Sequence, residues 1–71
     1  MKTIVVLVNG WVLVGDLEGK ILENASVIRR WGTTKGIGEL VNGPLNDTIL
    51  DKIGNVELGK RIFSFHAKGW K

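Results

Sequence analysis

Residues 3–17, TIVVLVNGWVLVGDL, decide the fold. Residues 3–8 are rich in β-branched side chains, which favour a β-strand. Asn9-Gly10 follows, and this pair is the strongest short-range signal for a two-residue hairpin turn because both residues tolerate positive φ. Residues 11–17 then supply the returning strand. The sequence therefore predicts an antiparallel β-hairpin in its first quarter.

The same pattern of short strands and tight turns continues beyond the hairpin. Glu18-Gly19 marks a second turn, and residues 20–30 indicate a long third strand. Apolar and polar residues alternate imperfectly along this strand, which predicts a β-bulge near Asn24.

The second half of the chain adds one helix and further strands. The remaining predicted elements are a short helix near residues 37–42, a strand over residues 47–53, a turn at Gly54-Asn55, and a last strand or bulged pair of strands over residues 56–66. Five or so short strands with one short helix predict a mainly β fold, a small antiparallel five-stranded barrel or bent sheet.

The length of 71 residues predicts a single domain, residues 1–71. A domain of this size buries only about 60% of its unfolded surface, so it usually needs disulfides, a metal or a partner subunit. The sequence has no cysteine and a single histidine, His66, so we expect no disulfide, no metal site and no cofactor. Oligomerisation is the remaining device, and we expect a homo-oligomer.

The apolar residues predict a folded, intracellular protein. They make up 44% of the sequence, as in ordinary globular domains. The longest apolar run, Ile4–Val8, is too short to cross a bilayer. Lys2 precedes this run as in a signal peptide, but no small-residue cleavage site follows. We therefore expect no membrane partner.

The inventory of reactive side chains argues against an enzyme. Besides lacking cysteine, the sequence has no tyrosine and only one histidine. Ser64 lies two residues from His66, on the same face of a strand, but no evident acid completes a catalytic triad. We expect a binding protein with no catalytic residues.

The most distinctive stretch is RRWGTTKG, residues 29–36, called here the RRWGTTKG segment. Net charge is +3, and the chain carries no acid between residues 24 and 38. Guanidinium groups bind phosphates in a bidentate manner, and amides beside glycines form anion-binding nests. The start of the short helix would add its positive end. We predict a nucleotide-binding site whose residues are Arg29, Arg30 and Lys35 for phosphates, Thr33 and Thr34 as hydroxyl donors, and Trp31 for base stacking.

Three alternatives remain open. The segment could be a solvated loop, with Trp31 in the core and Arg29 or Arg30 paired with Glu23 or Glu39. Residues 59–71, GKRIFSFHAKGWK, interleave aromatic and cationic side chains, which is typical of a small nucleic-acid-binding module. The protein could also inhibit a host factor through a protein–protein contact, with Trp11 or Trp70 as the anchor.

Residues 24–31, NASVIRRW, followed by GTTKGIGELVNGP and a final Gly69-Trp70, resemble short proteins of unknown function encoded by bacteriophages and prophages. The resemblance covers roughly residues 20–71. The sequence is also generally similar to small phage proteins that are compact, β-rich oligomers and sequester nucleotide immune signals. It implies a phage protein of the host cytoplasm that holds a cyclic oligonucleotide or an ADP-ribose-like signal without cleaving it, and so inhibits anti-phage defence. It assigns no binding residues.

Overall fold

The structure of the protein is a computed structural model that describes residues 2–34 and 36–70. Its elements are β1 (Lys2–Leu7), β2 (Val12–Glu18), β3 (Ile21–Arg30), a 3-10 helix (Ile37–Asn42), β4 (Ile49–Glu57) and β5 (Arg61–His66). The strands form one antiparallel sheet in the order β4-β3-β2-β1-β5. The predicted mainly β class, the five strands and the short helix are confirmed.

The sheet is open, because β4 and β5 lie at its opposite edges. The closed barrel, one of the two predicted forms, is therefore not shown. Among the described residues, no helix is long and apolar enough to cross a membrane.

The β1–β2 hairpin has a three-residue loop instead of the predicted two-residue turn. The Leu7 N–H donates to the Trp11 carbonyl at 2.8 Å, and the Gly10 N–H donates to the Leu7 carbonyl at 2.9 Å. A two-residue type I′ turn needs positive φ at both central residues, whereas only Gly10 has it here, at 91°. The second turn is also displaced by one residue from its prediction, since Glu18 pairs with Ile21.

The central hairpin is buried on both faces of the sheet. Ile4 and Val5 are adjacent and fully buried, and adjacent side chains of a strand point to opposite faces. The first cluster consists of Ile4, Val12, Val14, Ile28, Leu40 and Ala67, with Val6, Ile37, Phe65 and Trp70 packed against it. The second cluster consists of Val5, Leu13, Leu22, Ala25 and Leu58, with Leu7, Leu17, Val27 and Val56 packed against it.

The 3-10 helix and the segment after β5 cover the first cluster. Leu40 of the helix is fully buried, and its carbonyl accepts a hydrogen bond from Trp70 Nε1. The Gly69 N–H donates to the Val41 carbonyl at 2.9 Å. A Cβ at Gly69 would overlap the backbone of Asn42, so only glycine permits this close approach. The helix, weak by its own sequence, is thus held by packing.

The predicted bulge near Asn24 is confirmed. Asn24 has a φ of 50°, and the β2–β3 register shifts between Val14 and Asp16. Gly15 is buried opposite the bulge, where a Cβ would lie 2.8 Å from the Glu23 carbonyl oxygen. The bulge and the glycine therefore depend on each other.

The predicted turn at Gly54-Asn55 is wrong, because β4 runs through both residues. Gly54 has a φ of 84° and pairs with Ala25, next to the bulge of β3. The left-handed glycine is accommodated as an irregularity of the strand, and the chain leaves the sheet only at Leu58. The Leu58 N–H then donates to the Lys20 carbonyl at 2.7 Å.

We expect Gly15→Ala to lower the free energy of unfolding by about 1–3 kcal/mol, because the added methyl group overlaps backbone atoms that cannot rotate away. Urea denaturation followed by circular dichroism measures this change. The matched control is Gly38→Ala, whose Cβ meets no atom within 4 Å. Equal stability of Gly15→Ala and the unmodified protein would contradict the described packing.

Candidate functional site

A hollow of about 530 Å³ lies where the β1–β2 loop meets β3 and β4. We call it the Trp11 hollow. Its lining residues are Asn9, Gly10, Trp11, Val12, Val27, Ile28, Arg29, Asp51 and Ile53. Four other hollows in the described part of the chain are smaller, at about 270 to 440 Å³. The Trp11 hollow falls in the volume range of small-molecule sites.

The walls of the Trp11 hollow expose apolar surface. The side chain of Trp11 is 54% exposed and that of Ile53 is 46% exposed. Val27, which packs against the second cluster, continues the apolar surface inward. An exposed indole beside aliphatic groups is suited to packing against a flat ring.

Arg29 and Asp51 supply the charged groups of the hollow. Ile28 pairs with Leu50, and Arg30 pairs with the next residue of β4, Ile49. Arg29 therefore has no partner in β4 and occupies a β-bulge. Bulges often re-aim a side chain near a functional site. The Arg29 Nε lies 2.9 Å from Asp51 Oδ2, and both side chains are exposed. This contact engages Nε, so the four terminal N–H donors of the guanidinium lie outside it.

The Arg29–Asp51 pair leaves room for a ligand to bind the same guanidinium. Exposed ion pairs contribute only about 0–1 kcal/mol because water competes for both charges. A phosphate can therefore bind the terminal guanidinium nitrogens at little cost to the fold. Asp51 reduces the local positive charge but does not cover the arginine.

The other described residues of the RRWGTTKG segment do not line this hollow. Arg30 ends β3 and is exposed, and Trp31 is 40% exposed and belongs to neither apolar cluster. The Trp31 carbonyl accepts a hydrogen bond from Thr48 Oγ1 at 2.6 Å. Thr33 is half-buried and does not line the hollow, and the predicted phosphate ligand Lys35 lies outside the described residues.

Thr34 already holds an anion, the carboxylate of Glu39. The Thr34 N–H donates to Glu39 Oε2 at 2.9 Å, and Thr34 Oγ1 donates to Glu39 Oε1 at 3.3 Å. Two donors of Thr34, among them the hydroxyl predicted to bind a phosphate, are therefore occupied by the protein's own carboxylate, which a phosphate would have to displace. Arg29, which the alternative interpretation paired with Glu23 or Glu39, contacts Asp51 instead.

The structure places one predicted residue, Arg29, at the hollow, together with residues that the sequence did not indicate as part of a site, among them Trp11, Asp51 and Ile53. The sequence indicates Trp11 only as an anchor for a protein partner, although a large aromatic residue directly after a hairpin turn is a usable signal of a binding site. Ile53 and Asp51 carry no such signal. They reach the hollow only through the β3–β4 register, which no local pattern gives.

No group of three or more metal-ligating side chains occurs in residues 2–34 and 36–70. Comparison with protein-family models, curated proteins and solved structures finds no match to this chain.

We expect Glu39→Ala to accelerate hydrogen exchange of the Thr34 amide about tenfold, because the amide loses a charged acceptor worth about 1.5 kcal/mol or more. Hydrogen exchange followed by NMR measures the rate. Glu23→Ala, which removes an exposed carboxylate of β3, is the control and should leave this amide unchanged. An unchanged Thr34 rate in Glu39→Ala would show that the carboxylate does not hold the loop in solution.

Proposed function

We propose that the protein is a non-catalytic binding protein that holds an anionic nucleotide in the Trp11 hollow. One observation carries the proposal: Arg29, a predicted phosphate ligand, projects from a β-bulge at the hollow that also exposes the indole of Trp11. An aromatic face and a guanidinium on one hollow match the two parts of a nucleotide, its base and its phosphate.

The base would stack on the exposed face of Trp11 and contact the aliphatic surface of Ile53. Stacking of a base on an aromatic side chain contributes about 1–3 kcal/mol by alanine substitution. Because every base has a π face, stacking selects for a base without choosing among them. Asn9 lines the same hollow, and its side-chain amide can bind the polar edge of the base.

The phosphate would bind the terminal N–H groups of Arg29, whose planar fork matches two phosphate oxygens. The side chain of Arg30, next in the chain and exposed, adds positive charge nearby. Asp51 would keep its contact with Arg29 Nε and hold the guanidinium in place. The net charge of +3 favours the approach of an anion.

The ligand class that we propose is a cyclic oligonucleotide or an ADP-ribose-like signal, held without cleavage. The resemblance of the sequence to short phage proteins supports this class, and with it a role in inhibiting host anti-phage defence in the host cytoplasm. A hollow of about 530 Å³ accommodates part of such a ligand.

The alternative of a nucleic-acid-binding module rests on a different observation. Phe63 is 49% exposed, and its ring lies 6.3 Å from that of Phe65, beside Arg61 on β5. Stacked rings beside cations bind single strands. Affinity would then fall steeply with salt, because many phosphate contacts release counterions, whereas a pocket with few contacts shows a shallow slope. Gel shifts at low and high salt separate the two functions.

Isothermal titration against cyclic dinucleotides, cyclic trinucleotides and ADP-ribose derivatives tests the proposal. We expect at least one of these compounds to bind, and to be recovered intact by chromatography. Trp11→Leu should weaken binding about tenfold or more through lost stacking. Arg29→Gln should weaken it by a similar factor, while Asp51→Asn should preserve or strengthen it, because the variant removes a negative charge beside the phosphate.

Trp31→Leu is the matched control, since Trp31 is similarly exposed but lies outside the hollow. It should bind as the unmodified protein does. If Trp31→Leu loses affinity and Trp11→Leu does not, the ligand occupies the RRWGTTKG segment instead. Absence of heat with every compound, from a protein that circular dichroism shows to be folded, would refute nucleotide binding altogether.

A further inference from the structure

The two edges of the sheet differ in how well they are protected against pairing with another chain. The edge strand β4 carries Asp51, Lys52 and Glu57, and Gly54 distorts it with a φ of 84°. Charges and bulges of this kind prevent edge-to-edge association. The edge strand β5 is uncharged from Ile62 to Phe65, where the sequence is IFSF. Its register with β1 shifts at Ile62, but the pairing is regular from Phe63 to His66. Its outer side is thus an apolar template for a further strand.

The hydrogen bonds between β1 and β5 show which backbone groups of β5 face outward. The Ala67 N–H donates to the Lys2 carbonyl at 2.9 Å, so these two residues form a hydrogen-bonded pair. Two and four residues further along the ladder, Phe65 lies opposite Ile4 and Phe63 lies opposite Val6. Hydrogen-bonded and non-hydrogen-bonded pairs alternate along an antiparallel ladder. Phe63 and Phe65 therefore direct their backbone groups to β1. The backbone groups of the residues between and beside them, Ser64 foremost, point away from the sheet.

We propose that a second copy of this chain pairs with the outer edge of β5, antiparallel and about a twofold axis at Ser64. In this register Ser64 lies opposite the partner's Ser64, and Ile62 lies opposite the partner's His66. The outward N–H and carbonyl groups of each strand then meet their counterparts. The two sheets join into one continuous sheet, and the twofold axis closes the assembly as a dimer.

The side chains of β5 are self-complementary in this register. Phe63 lies opposite the partner's Phe65 at a non-hydrogen-bonded position, where side chains of neighbouring strands come closest. Each chain already stacks its two rings at 6.3 Å, so the dimer joins two such pairs on one face. The exposed half of the Phe63 ring and the exposed Ile62 side chain become buried.

The positive charges near β5 and the small area of the interface both make this dimer reversible. Lys60, Arg61 and Lys68 bring positive charges to both ends of the paired strands, so the copies repel each other at low salt. Six residues form a strip about 20 Å long, which buries less than the roughly 1,200–2,000 Å² of a stable interface. We expect dimerisation that increases with protein concentration and with salt.

Sedimentation velocity over a concentration series, at low and high salt, tests this pairing with two variants of one residue. Ser64→Pro removes the outward N–H but no hydrogen bond to β1, so it should remain folded and monomeric. Ser64→Thr retains the N–H and should dimerise as the unmodified protein does. Circular dichroism verifies the fold of both. A monomeric unmodified protein at every concentration, or a dimer that persists in folded Ser64→Pro, would overturn the proposal.

A cysteine variant decides the question even if Ser64→Pro does not fold. The sequence contains no cysteine, so Ser64→Cys carries a single thiol. Paired residues at the twofold axis have Cα atoms about 5.5 Å apart, within the range of a disulfide. Mild oxidation should link Ser64→Cys into dimers much faster than Lys52→Cys, the control on the β4 edge. Equal rates for the two variants would show that β5 is not the interface.

Discussion

The structure depends on one constraint, the burial of the β1–β2 hairpin on both of its faces. Ile4 and Val5 point in opposite directions and neither contacts water. Because both faces of the hairpin are apolar, the remainder of the chain must shield both of them from water. The 3-10 helix and Trp70 cover the first cluster, while side chains of β3, β4 and Leu58 cover the second.

The candidate site lies at the end of the sheet where the side chains that cover the second cluster stop. At the loop end of the hairpin Trp11 and Ile53 are only half-buried, and both line the Trp11 hollow. The irregular β3–β4 pairing places Arg29 at this same opening. The apolar wall and the guanidinium thus meet at the same opening on the surface.

Local sequence patterns predict most of the strands and the helix, whereas the residues of the candidate site are brought together by the pairing of β3 with β4. The hairpin, the bulge at Asn24 and the helix follow from spacing within a few residues. The turn predicted at Gly54 failed because a left-handed glycine fits a bulge as well as a turn, and the choice depends on β3. Likewise, Arg29 is conspicuous in the sequence, but its neighbour Asp51 is brought to it only by strand register. Whether Arg29 binds a ligand stays a prediction.

The most direct measurement is NMR of the indole N–H groups during titration with a bound cyclic nucleotide or ADP-ribose derivative. The sequence has three tryptophans, so the spectrum reports three environments. Trp70 is an internal reference, because its Nε1 is hydrogen-bonded to Leu40. The account predicts that the Trp11 signal shifts on binding while those of Trp31 and Trp70 stay in place. A shift confined to Trp31, with Trp11 unchanged, would contradict it.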